Sequence, residues 1–221
     1  MNSPALFREI KHALKQNLLP GIILQLFALA IVWLYFYQPS SQVMFETIAQ
    51  LKVQYGWRYT FVATALFGGL IPFLYLYRIR ALPQLPISKL VAFYLLFWGI
   101  KGVEVDFFYQ LQGYWFGYDN TFATIAKKTA MDQFVYSAMW AAPSITICYL
   151  WLENNFSYKK TLIAANKTFF TTTLPSVIIS NWLVWIPAVS IIYTMPANLQ
   201  IPLFNLVLCF WVLMLTALSK R

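Results

Sequence analysis

Three charged residues, Lys101, Glu104 and Asp106, stand inside the run FWGIKGVEVDFFYQLQGYW at 97–115, which is otherwise apolar, aromatic or small. A charge near the centre of a bilayer costs about 2.5–3.5 kcal/mol even on insertion scales, so each needs a compensating partner or a task. At about 100° per residue, a helix divides the three. Gly99, Gly102, Asp106, Tyr109 and Gly113 fall within one arc of about 80°, a face whose small residues let another helix approach closely. Lys101 and Glu104 lie on the other side, three residues apart, where they can pair. Two readings are open. In one, these groups line a polar pathway, with Asp106 foremost. In the other, Lys101 and Glu104 neutralise each other, and Asp106 accepts a hydrogen bond from a neighbouring helix or reaches water at the span's end.

Two further segments carry polar groups on a definable face. Lys128 and Asp132, four apart, can form an intrahelical pair, with Gln133 beside them. Asp132, Tyr136, Met139 and Pro143 are predicted to share a face, and Pro143 in mid-span leaves a carbonyl to be satisfied by protein or water. Asn181 stands on a stripe with Val177, Trp185 and Ala188. Together the segments predict a polar seam or narrow pore of Lys101, Gly102, Glu104, Asp106, Tyr109, Lys128, Asp132, Gln133, Asn181 and Trp185. Ordinary helix packing with polar glue is the alternative.

Enzymatic chemistry finds little footing. His12 is the single histidine, and the two cysteines, Cys148 and Cys209, each lie in an apolar run. Glu104 and Asp106 point about 160° apart on their helix and cannot act as a close carboxylate pair. No Gly-rich phosphate loop, zincin pair or G-x-S-x-G turn occurs. We therefore expect no catalytic residues, no metal and no cofactor.

The elements that must position these groups follow from composition. Of 221 residues, 60% are hydrophobic and 10% charged, and the mean hydropathy is +0.61. A soluble core of this size cannot hide that much apolar surface, so lipid is the expected solvent. Six spans are predicted, roughly at 18–37, 59–77, 88–109, 130–152, 174–193 and 198–218, with Tyr and Trp gathered at their ends. The basic amphipathic stretch 1–17 and the loop 157–173 are predicted to lie as helices in the interface. The fold class is thus all-α, a polytopic helical bundle with residues 18–221 as one transmembrane domain. The net charge of +9 fits headgroup contacts and orientation better than nucleic acid, because no basic run interleaves with a soluble unit.

With both termini cytoplasmic, that side carries Arg8, Lys11, Lys15, Arg78, Arg80, Lys89, Lys159, Lys160, Lys167, Lys220 and Arg221. The opposite side carries Lys52, Arg58, Lys127 and Lys128, a bias that supports this orientation. Asn155 and Asn166 open N-x-[ST] triplets, which cytoplasmic placement makes chance matches.

The order of motifs resembles the membrane protein family named for Mpv-seventeen and the twenty-two-kilodalton peroxisomal membrane protein. That family's G-P-x-x-H-x-W-Y is answered by Gly102, Val103, Glu104, Val105, Asp106, Phe107, Phe108 and Tyr109, with Asp106 in place of His. Its K-x-x-x-D-Q is matched by Lys128, Asp132 and Gln133. Its N-W-x-x-W-P segment is answered by Asn181, Trp182, Trp185 and, displaced by one, Pro187, then Tyr193 and Pro196. Its final W-N-x-x-L-S is answered by Trp211, Val212, Leu215 and Thr216. The likeness covers about residues 88–221, lacks the Gln and Arg of the fifth segment, and adds an N-terminal span to the usual four-span pattern. It implies a distant member of a family of small non-enzymatic proteins proposed to form pores for small metabolites.

The expectation is a channel or pore-like protein for small solutes, with a non-conducting scaffold or assembly factor as the alternative. The expected partners are the lipid bilayer, small solutes and further copies of the chain, with no nucleic acid. The absence of a cleavable presequence favours a bacterial inner membrane over a mitochondrial inner or peroxisomal one.

Overall fold

A computed structural model describes residues 3–218, and among these every regular element is a helix. Met1, Asn2, Lys220 and Arg221 lie outside the described residues, as do the side chains of Leu6, Glu9, His12, Leu215 and Thr216. In chain order the helices are α1 (Ser3–Tyr37), α2 (Pro39–Tyr55), α3 (Trp57–Arg78), α4 (Ile87–Phe116), α5 (Phe122–Glu153), α6 (Tyr158–Ala164), α7 (Phe169–Ile192) and α8 (Ala197–Leu218).

Five stretches are long and apolar enough to cross a membrane: Leu14–Tyr37, α3, α5, α7 and Ala197–Met214. The predicted third span, 88–109, is the exception. It lies in α4, whose 30 residues extend about 45 Å at about 1.5 Å per residue. Lys101, Glu104 and Asp106 sit centrally, so α4 falls short on charge and not on length.

Two other expectations change. The stretches expected as an interfacial helix and a first span, 1–17 and 18–37, meet within one unbroken α1. The segment expected as a second interfacial helix, 157–173, divides at Ala165–Asn166. Its first part is the seven-residue α6, and its second part joins the start of α7.

Local sequence accounts for several boundaries. Pro39, with no N–H to leave unsatisfied, opens α2, and Gly56 closes it at φ +54°, ψ −128°, a conformation that L side chains rarely adopt. Thr121 caps α5 by accepting from the Thr124 amide. Three helical stretches widen into π-type winding, at Ala65–Leu70, Met131–Ala141 and Phe169–Thr173. Each closes with an i→i+5 bond: Ile71 N to Leu66 O, Ala142 N to Ser137 O, and Leu174 N to Phe169 O. Each also ends two residues before a proline, at Pro72, Pro143 and Pro175. A proline ring clashes with the carbonyl four residues back, and a wider turn moves that carbonyl away. Proline alone is insufficient, since Pro20, Pro187 and Pro202 sit in ordinary α winding.

The core forms where α1 runs along α7, burying Leu24 and Ala28 against Val184, Ala188 and Ile192. Gln25 Nε2 donates to Val184 O across this contact at 2.8 Å. α3 packs along α4, and α8 closes the bundle against α1, α2 and α3. Large apolar side chains, among them Leu26, Val62, Leu96, Ile100 and Phe107, cover the outside. In water so much contiguous apolar surface would drive association, and in lipid it is solvated.

Candidate functional site: a buried polar seam and its cavity

The glycine face of α4 is a contact face, as its spacing predicts. Gly99, Gly102, Asp106, Tyr109 and Gly113 are all buried. A Cβ at Gly99 would press on the Phe61 ring at 2.6 Å, and one at Gly102 would overlap the Thr64 side chain. α3 can therefore lie against α4 only because these positions lack side chains.

That close approach creates the environment of Asp106. Its Oδ2 accepts from Lys52 Nζ at 2.7 Å and from Thr60 Oγ1 at 2.7 Å, while its Oδ1 accepts from Gln110 Nε2 at 3.1 Å. Lys52 and Asp106 are both buried. A buried ion pair of this kind needs further hydrogen bonds to offset desolvation, and Thr60 and Gln110 supply them. The pair ties α2 to α4 through α3.

Lys101 and Glu104 pair as expected, with Lys101 Nζ 2.9 Å from Oε1 and 3.0 Å from Oε2. The same ammonium donates to Ser144 Oγ at 2.7 Å and lies 5.6 Å from the centre of the Trp140 ring. Tyr136 donates its hydroxyl to Glu104 Oε1 at 2.6 Å and stacks on Phe108. This second group joins α4 to α5.

Asp132 is organised differently. Its Oδ2 accepts from the Tyr193 hydroxyl at 2.6 Å, and its Oδ1 accepts from its own neighbour, Gln133 Nε2, at 2.8 Å. Tyr193 accepts in turn from Gln112 Nε2 at 3.0 Å. The predicted Lys128–Asp132 pair is absent. Lys128 is buried with its ammonium 5.5 Å from the Tyr118 ring centre and 5.7 Å from that of Tyr193. The cause is the winding: the helix widens right after Ala130, so i,i+4 residues no longer stack as they do in an α-helix. The same widening overturns the predicted shared face, since Met139 is 74% exposed while Asp132 is 5% exposed.

A cavity of about 210 Å³ occupies the seam between α3, α4, α5, α7 and α8. This is many times the roughly 10–15 Å³ that one water needs. Its polar lining includes Lys101, Asp132, Gln133, Tyr136 and Asn181, and its apolar lining includes Trp98, Trp185, Phe204 and Leu208. Of the predicted seam residues, Lys101, Tyr109, Asp132, Gln133, Asn181 and Trp185 line it, whereas Gly102, Glu104, Asp106 and Lys128 do not.

Several partners escape sequence reasoning. Lys52 looks like a loop charge, yet it is buried, and Lys128, expected beside Asp132, is buried against aromatic rings instead. Pro39 and Gly56 do bracket a helix around Lys52, but nothing local points to Asp106, 54 residues on. Thr64 Oγ1 bonds Asn205 Oδ1 at 2.8 Å across 141 residues, again without a local signal. Among the described residues no group of three or more His, Cys, Asp or Glu side chains gathers to hold a metal ion. No family model, curated protein or solved structure matches the chain.

Proposed function

We propose that the chain is a small membrane protein that admits small solutes to the central cavity and passes them along the seam. The observation that carries this reading is the cavity itself. It lies between α3, α4, α5, α7 and α8, and it is lined by Lys101, Asp132, Gln133 and Asn181. α4 serves as a sixth span in this reading, because its three central charges are answered inside the bundle by Lys52, Ser144 and Tyr136 and by one another. Both termini face the cytoplasm, the membrane is a bacterial inner membrane, and α6 lies at its surface. Distant kinship with the Mpv-seventeen family belongs to the same proposal, supported by the burial of Gly102, Asp106, Tyr109, Asp132 and Gln133 in one bundle.

The test is reconstitution. Proteoliposomes should release small solutes faster than empty liposomes, and substitution of Asp132 should change the rate. Equal release from both would sink the reading. One observation favours the scaffold alternative: Asp106 has three donors and does not line the cavity. In that reading Asp132→Asn alters stability alone.

A further inference from the structure

We propose that the cavity is selective for small organic cations, specifically a primary or secondary ammonium carried on an apolar or aromatic body. This inference rests on the reading of the cavity as a solute site and names the class of solute.

Two ionisable side chains that carry a charge near neutral pH in their ordinary state line the cavity, Lys101 and Asp132. The Lys101 charge is offset by Glu104 at 2.9 Å. Asp132 has no such partner, since the two ion pairs among the described residues are Lys52–Asp106 and Lys101–Glu104. Lys128 reaches the ring of Tyr193 and does not line the cavity. The uncompensated charge facing the cavity is therefore one carboxylate.

Hydrogen bonding narrows the class. An ionised carboxylate has about four acceptor sites, and Asp132 receives two donors, Tyr193 and Gln133. Gln133 gives its Nε2 to Asp132, and no protein group donates to its Oε1, although the residue is 2% exposed and lines the cavity. Two neighbouring residues thus present acceptors, one of them charged. An ammonium group carries several N–H donors and a positive charge, and can satisfy both acceptors. At this pair an anion would meet the Asp132 charge and a carbonyl oxygen, neither of which it can satisfy.

The walls fit the rest of such a molecule. Tyr109, Tyr136, Trp185 and Phe204 line the same space, with Trp185 and Phe204 ring centres 5.8 Å apart. Aromatic faces attract cations through their quadrupole, and more strongly when desolvated. They also take up an apolar body.

Calorimetric titration of the purified full chain in detergent with benzylammonium, benzyl alcohol and benzoate tests the class directly. These probes share a ring and differ in charge. Benzylammonium should bind saturably and at least about tenfold more tightly than benzyl alcohol, with benzoate not binding, in keeping with the strength of charge-assisted bonds. Asp132→Asn should abolish this preference. Trp185→Leu, which leaves the acceptors in place, should weaken benzylammonium several-fold while keeping the preference for cation over alcohol. Equal binding of the ammonium and the alcohol, tighter binding of benzoate, or no saturable binding of benzylammonium to the wild type would each overturn the inference. Solute release from proteoliposomes is scored separately. A protein that releases neutral solutes but ignores benzylammonium refutes the cation class and leaves the pathway standing. One that binds benzylammonium and releases nothing refutes the pathway and leaves the site.

Discussion

Asp106 and Asp132 are both buried carboxylates in the helical bundle, and their surroundings answer them in opposite ways. Asp106 has a cation at 2.7 Å and two further donors, and it does not line the cavity. Asp132 has two neutral donors, no cation partner and a cavity beside it. A fully paired charge holds helices in register, because any displacement breaks charge-assisted bonds in a poorly polarisable interior. A partly answered charge beside open space can receive a ligand. The pair teaches that a charge within a span is not by itself a site. What its partners leave unanswered decides.

The largest expected effect tests the structural half of this comparison. Lys52→Met leaves the Asp106 charge buried without a cation and should cost about 3–5 kcal/mol, read as the shift in denaturant-induced unfolding in detergent. Lys52→Met with Asp106→Leu removes both charges and should recover most of the loss. If the double variant is as unstable as the single one, the pair is not what holds α2 against α4.

A smaller loss should follow Gly102→Ala. The added methyl overlaps the Thr64 side chain, and such overpacking costs about 1–3 kcal/mol. Combining it with Thr64→Gly should relieve the clash, although the Asn205 hydrogen bond is lost. A double-mutant cycle reads the coupling, and strictly additive effects would place the contact elsewhere.

Asp132→Asn should be nearly silent in stability. The new amide oxygen can still accept from Tyr193, and the new amide nitrogen can donate to Gln133 Oε1 once Gln133 turns. An exchange of neutral for charge-assisted bonds on this scale should shift stability by less than about 1.5 kcal/mol. A loss as large as that of Lys52→Met would make Asp132 a second structural anchor and erase the contrast.

The smallest effect lies outside the bundle. Asp119, in the loop before α5, accepts from the Thr121 amide and hydroxyl, and these bonds lower its carboxyl from the ordinary 3.8 to about 2. A lowered folded-state pKa stabilises above the unfolded value and is lost as pH falls through the folded one. The small melting difference between wild type and Asp119→Asn should therefore be constant above about pH 5 and fade as the pH falls toward 2. A difference that grows on acidification would contradict the assignment.

Much of the seam was legible in the sequence where geometry is local. Glycine spacing marked the contact face of α4, because a regular α-helix keeps its 100° step along that stretch. The Lys101–Glu104 pair followed from the same step. The expected Lys128–Asp132 pair and the face running to Met139 failed together, because π winding starts at Met131 and the α step no longer applies. Lys52 escaped for another reason. Its partner is set by how α2 folds onto α4, and one-dimensional spacing holds no record of that packing. The three central charges that made α4 conspicuous also keep it apart from the five stretches apolar enough to cross a membrane.

Solute release from proteoliposomes, comparing wild type, Asp132→Asn and empty vesicles, decides whether the cavity is a solute pathway. Wild type should release solute faster than the empty vesicles and Asp132→Asn at a changed rate, with both proteins melting at nearly the same temperature. Release no faster than from empty vesicles, or an Asp132→Asn rate identical to wild type, would contradict the pathway.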